Sequence, residues 1–207
     1  MALLLAASTA VAGTIVGSVH DFSGAGWSGG AICTPCHNQG NSANSLVPGM
    51  GQWNHQINMG QSYMLYSSTT LKSAAVTEIG IRSKLCLSCH DGTIAVDSFS
   101  GRTGSQFITS ANNIGTNLKN DHPIGMVYDQ TLAGQNPTLF NPVSAQVTIG
   151  AADMAITDSI NNLLLYDGKM ECVSCHDVHN NFTVGTTGLL LMSTSGNGSI
   201  CTACHNK

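Results

Sequence analysis

The stretch MECVSCHDVHNN, Met170 to Asn181, sets two thiols and two imidazoles within eight residues. Cys172, Cys175 and His176 form a CxxCH unit, and His179 follows three residues later. The unit recurs as Cys33-Thr34-Pro35-Cys36-His37, Cys86-Leu87-Ser88-Cys89-His90 and Cys201-Thr202-Ala203-Cys204-His205. The four units use all eight cysteines of the chain. CxxCH is the attachment signature of c-type heme: two thiols bond the porphyrin and the adjacent histidine binds iron from beneath the ring. A disulfide framework does not require a histidine after every second cysteine. Zinc does not require each CxxC to be closed by an immediate histidine, and the first cysteines of successive units stand 53, 86 and 29 residues apart. A redox-active CxxC is a poor account of four copies. The motif therefore predicts four heme c groups, bound covalently through Cys33, Cys36, Cys86, Cys89, Cys172, Cys175, Cys201 and Cys204, with His37, His90, His176 and His205 as proximal iron ligands.

Composition agrees with a polypeptide that wraps cofactors. Of 207 residues only 9% are charged, against about 25% in a typical domain, and only 5% are aromatic. Glycine is frequent, at 23 residues. Such a chain has few large side chains from which to build a core, yet its apolar fraction of 42% and net charge of -4 do not describe a disordered chain. With about 52 residues per motif, porphyrins would supply much of the interior. The expected fold is a multiheme cytochrome c: mostly coil, with short helices and few short strands wrapped around a chain of hemes. The charge balance offers no basic surface for nucleic acid.

Four histidines lie outside the motifs: His20, His55, His122 and His179. Four irons with one open axial position each would need four more ligands, so these are the candidate distal ligands. Methionine is the alternative sixth ligand; Met50, Met59, Met64, Met126, Met154, Met170 and Met192 serve equally as core filler. Iron held by two imidazoles has no vacant position for a substrate. The chain also carries no P-loop, HExxH or Ser-His-Asp arrangement. The reading is electron transfer, not an enzyme. His179 starts from nearly the same side of a ring as His176, so it is expected to serve a different heme. Asp91 and Asp177, each directly after a proximal histidine, are candidates to orient an imidazole or to lie near a propionate, with a surface role equally open.

Along the chain, Leu3 to Ala7 and Ala10-Val11-Ala12 suggest a short apolar region and a cleavage site, without a basic start. Residues 1–13 are read as a signal remnant or an N-terminal arm, and 14–207 as one tetraheme domain. No other segment approaches the about 18 apolar residues of a membrane span. A short helix is expected in Leu71 to Leu85 leading into the second motif, and a strand at Gln146 to Ile149. A strand or helical turn is expected in Ala155 to Tyr166, and a hairpin or loop in Gly185 to Leu191 and Gly196 to Gly198. Pro123 should hold His122 out of helical structure. Tyr63 and Tyr66 suit porphyrin edges or ordinary packing. Asn181-Phe182-Thr183 and Asn197-Gly198-Ser199 match glycosylation acceptors or plain polar loops.

Several segments together resemble multiheme c-type cytochromes of metal-reducing bacteria and archaea. They are Gly17-Ser18-Val19-His20-Asp21-Phe22-Ser23, Trp27-Ser28, Ile32 to His37, Trp53-Asn54-His55, Cys86 to Gly92, Asp121-His122-Pro123-Ile124-Gly125 and Cys172 to His179. The chain looks most like the tetraheme cytochromes that polymerise into extracellular conductive filaments, the cytochrome nanowires. The likeness covers most of the chain from residue 14. It departs after the first motif, where the family often has Pro-His and this chain has Asn38-Gln39. The resemblance implies a row of closely packed hemes and a head-to-tail homopolymer on the cell surface, exchanging electrons with redox partner proteins or extracellular acceptors. It also implies a distal histidine donated across the subunit boundary, which His20 matches, with the iron of His205 receiving it. A head-to-tail contact that does not close builds a helical fibre. The alternative is a soluble, monomeric periplasmic tetraheme shuttle that keeps all its ligands within one chain.

Overall fold

The computed structural model describes residues 15–38, 51–150, 155–182 and 200–206. The expected N-terminal arm, the hairpin region of 185–198 and the second glycosylation sequence lie outside these. The described residues are mostly coil. They hold four short helices: α1 (Ile81–His90), α2 (Gln130–Gln135), α3 (Ile160–Leu164) and α4 (Cys201–Cys204). Strands β1 (His37–Asn38) and β2 (Gln52–Trp53) pair antiparallel, with His37 opposite Trp53. Strands β3 (Gln146–Ile149) and β4 (Ile156–Ser159) form the second antiparallel pair, from Gln146 opposite Ser159 to Ile149 opposite Ile156. Among the described residues no helix is long and apolar enough to cross a membrane.

Two of the helices, α2 and α3, begin on a local signal. Asp129 accepts the Leu132 N–H at 2.8 Å to start α2, and Ser159 accepts the Asn162 N–H at 3.2 Å to start α3. β4 therefore runs straight into α3, so the segment read as strand or helical turn is one after the other. The helix expected within Leu71 to Leu85 begins only at Ile81 and runs through the second motif. The reason is tertiary. Gly125, at φ 77°, packs its backbone against Val76 to Ile79, where a Cβ on Gly125 would meet the Glu78 carbonyl oxygen at 2.4 Å. That contact holds residues 76–79 out of a helix. The cap of α1 is also supplied from a distance: Gly80 has no side chain to offer, and the Glu171 carboxylate accepts the Ser83 N–H at 3.0 Å. Gly92, at φ 71°, follows the end of α1 in the left-handed region where glycine is favoured.

Two apolar clusters form. The larger gathers Tyr128, Leu132, Ile149, Ile160, Leu164 and Ile200 with the fourth motif's Ala203 and Cys204. The smaller joins Ile79, Leu87 and Leu118, with Tyr63, Leu65 and Ile124 against it. Residues 15–38 contribute to neither. They are held by ring contacts, with Phe22 and Trp27 centroids 5.1 Å apart and Trp27 and Phe99 6.0 Å apart.

Candidate functional site

Each CxxCH unit forms a single helical turn. The histidine N–H donates to the carbonyl of the first cysteine at 2.8 Å in the first motif, 3.0 Å in the third and 2.9 Å in the fourth. The second motif forms the last turns of α1. Residues i, i+3 and i+4 share one face of a helix, so both sulfurs and the imidazole of each unit are presented together. None of the eight cysteines forms a disulfide. Burial pushes most of them up: Cys36 and Cys175 to about 11, Cys89 and Cys204 to about 12. Neighbouring sulfurs add to this, Cys36 acting on Cys89 and both Cys201 and Cys204 standing close to Cys175. The neighbouring thiols of Cys86 and Cys172 act on each other, which raises the former and lowers the latter. Successive motifs are therefore neighbours in space: one with two, two with three, three with four.

Six of the eight histidines are grouped in three pairs. His20 and His90 have ring centroids 6.0 Å apart, His37 and His179 6.1 Å, and His122 and His205 6.3 Å. Each pair joins one CxxCH histidine to one histidine outside the motifs. A bound imidazole nitrogen lies about 2 Å from its metal, and the ring centroid roughly 1 Å beyond. Two imidazoles on opposite sides of one metal atom therefore put their centroids about 6 Å apart. The observed spacings fit. Among the described residues no three His, Cys, Asp or Glu side chains converge on one point, so the grouping is pairwise. The buried Nδ1 atoms of His20 and His37 and the buried Trp53 Nε1 have no hydrogen-bond partner. A heme iron would take the Nε2 of each ring, so these orphaned atoms mark places for water, and the fit rests on the ring spacings. These residues fit a heme.

Backbone and second-layer groups hold the rings. His90 Nδ1 lies 2.8 Å from the Asn112 carbonyl, which fixes the tautomer that leaves Nε2 for a metal. His122 lies in coil, as Pro123 requires, with Nδ1 3.2 Å from the Pro123 carbonyl. Burial pushes His20 down to about 4, with repulsion from His90, His176 and His179 adding to it, so its ring is neutral and ligand-competent at pH 7. His179 rides on a turn built by Asp177, whose Oδ1 accepts the His179 N–H at 3.0 Å. Asp177 Oδ2 accepts the N–H groups of Asn181 and Phe182, the latter at 2.8 Å, and Asn180 turns the chain at φ 60°. This turn carries His179 to His37.

Other candidates have different surroundings. His55 is 4% exposed, with Nδ1 2.8 Å from the Gln56 carbonyl and Nε2 3.0 Å from the Ala95 carbonyl. Both ring nitrogens face backbone oxygens beside the second motif, where Cys89 Sγ lies 3.4 Å from Nε2. Asp91 accepts the Tyr63 hydroxyl at 2.8 Å and the Thr93 N–H and hydroxyl at 2.8 and 2.7 Å. It shapes the loop after the second motif, while the Asn112 carbonyl takes the ring-orienting place that Asp91 was a candidate for. Tyr63 thus has a hydrogen-bonding role beside its packing. Met126 and Met170 are buried in the larger apolar cluster, and Met59 and Met64 are exposed. Met50, Met154 and Met192 lie outside the described residues. His205 faces His122 and His20 faces His90 within one chain, whereas the filament resemblance implies that His205's iron takes a neighbour's His20.

Two contributors escape a sequence reading. The Asn112 carbonyl is backbone and has no residue signature. Glu171 is one of only two glutamates in the chain, and it precedes a CxxCH unit directly; that scarcity is the one signal available. Compared with protein-family models and with curated proteins, the chain matches none.

Proposed function

We propose that the chain carries four covalently attached c-type hemes and passes electrons along them. The observation that carries this is the set of three imidazole pairs, 6.0 to 6.3 Å apart, each joining a CxxCH histidine to a distal candidate. When bound, heme supplies iron that takes up and releases one electron, which none of these side chains does. The cysteine pairs anchor the group. His37 with His179, His90 with His20 and His205 with His122 would each hold one iron between two imidazoles and leave no ligand position for a substrate, so the reading is transfer without turnover. The assignment of His55 to the iron of His176 rests on the count of four and four. To bind, its ring would have to leave the Ala95 carbonyl. Contacts between successive motifs support a relay in sequence order.

The filament reading is supported by the resemblance: a head-to-tail homopolymer outside the cell, delivering electrons to redox proteins or extracellular acceptors. A second reading, the self-contained periplasmic shuttle, is favoured by one observation, the juxtaposition of His20 with His90 in the same chain. Pyridine hemochrome analysis of protein made in a host that matures c-type cytochromes tests the common core: four hemes per chain are expected, and none would overturn it. Electron microscopy of secreted material separates the two assemblies. Long thin filaments that need His20 support the polymer, whereas uniform single particles with His20 bound internally support the shuttle.

A further inference from the structure

Glu171 stands between two of the motifs. It is 4% exposed, and Ser83 beneath it is fully buried. Its Oε2 accepts the Ser83 backbone N–H at 3.0 Å and the Ser83 hydroxyl. Its carboxylate also accepts the Ser174 N–H, and the Ser174 hydroxyl accepts the Glu171 N–H at 2.9 Å, closing a capping box on the turn Cys172–Ser174. The Cys172 N–H donates to Ser83 Oγ at 3.0 Å. One carboxylate therefore caps two helical N-termini at once: α1, which ends in the second motif, and the turn that forms the third. The approach is close enough to exclude a side chain at Gly80, where a Cβ would sit 1.4 Å from Glu171 Oε1. Next to this junction the Cys86 thiol meets Cys172.

We propose that Glu171, acting through Ser83 and Ser174, is a positioning residue that sets the orientation of the second attachment motif relative to the third, and with it the electronic coupling between the two groups they hold. This rests on the heme reading above. Charge-assisted hydrogen bonds are short and directional, and both elements capped here end in the residues that bind the cofactor. No other described contact ties the two motifs through a single buried ion.

The test uses the mature, heme-loaded chain. Pyridine hemochrome gives the heme count, and the exciton couplet in Soret circular dichroism reads the relative orientation of neighbouring porphyrins. Glu171→Ala should retain four hemes with low-spin spectra but lose couplet amplitude and change the spread of the reduction potentials. Glu171→Gln, which keeps one acceptor oxygen, should restore part of the couplet. Asp129→Ala removes the cap of α2 and lowers stability elsewhere; its couplet should match the parent. An unchanged couplet in Glu171→Ala, or an equal loss in Asp129→Ala, overturns the proposal while leaving the heme reading intact. A parent chain without heme overturns the heme reading itself. If Glu171→Ala does not accumulate, Glu171→Gln and Ser83→Ala carry the test, and a parental couplet in both overturns the proposal.

Discussion

Gly80→Ala probes the buried junction with the smallest change available. Gly80 has φ -71° and ψ 165°, extended backbone that alanine adopts freely. Backbone terms are small: alanine restricts the unfolded chain by about 0.4–1 kcal/mol in favour of folding, and loses about as much as a poorer N-cap. The added methyl decides the outcome. It would lie 1.4 Å from Glu171 Oε1, 2.5 Å from Cδ and 3.1 Å from Oε2, so the carboxylate must move. Moving it breaks the Ser83 contacts, and hydrogen bonds to a charged group contribute roughly 1.5–3 kcal/mol each. Losing two gives a destabilisation of about 3–5 kcal/mol after partial relaxation. With an m-value of about 2 kcal/mol per molar urea, the unfolding midpoint falls by roughly 1.5–2.5 M. Urea titration followed by far-ultraviolet circular dichroism measures this. In a Glu171→Ala background the clash is gone, and Gly80→Ala should cost under about 1 kcal/mol, the difference being the coupling between the two positions. A midpoint shift below about 0.5 M in the single variant, or an equal shift in both backgrounds, refutes the account of a locked carboxylate.

Two further outcomes follow from the imidazole pairs. His179→Ala should keep four hemes and turn one high-spin, and that one should be the heme of the first motif, opposite His37. In a chain already lacking Cys33 and Cys36, the same substitution should add no high-spin heme by electron paramagnetic resonance; a new one would place His179 on another iron. Acid titration tests His20: its folded pKa of about 4 lies below the free value of 6.5, so the unfolded or released ring binds more protons between those values. Stability therefore declines as pH falls from 6.5 towards 4, and iron binding can only deepen the shift. Low-spin spectra should persist at pH 5, and conversion of one heme to high spin between pH 7 and 5 would contradict a buried, neutral His20.

Much of the fold follows from local chemistry. The CxxCH spacing implies a helical turn because only that places i, i+3 and i+4 together, and three of the motifs form one within helical or 3-10 segments. Low aromatic and charge content implies abundant coil, and coil dominates the described residues. The strand at 146–149 and the coil at His122 follow from local residue preferences. What escaped sequence reading depends on contacts between distant residues. The start of α1 is set by Gly125 pressing on 76–79 and by Glu171 capping from 88 residues away. The pairing of His37 with His179 follows from the Asp177 turn. Eight histidines announce their number and chemistry; which faces which is decided by long-range packing that their immediate neighbours do not encode.

The Asp177 turn has a mechanical consequence. On the proposed heme reading His176 and His179 serve different irons, and three residues of chain extend at most about 11 Å. The distance between the anchors of those sites is therefore limited by peptide bonds, not by packing. Packed interfaces loosen on heating and dissolve in denaturant; a tether of three peptide units does neither. Under stress the protein can lose its apolar clusters, slacken its loops and open its strands while these two histidines stay within reach of each other. Between these two sites, spacing is a covalent property of the chain.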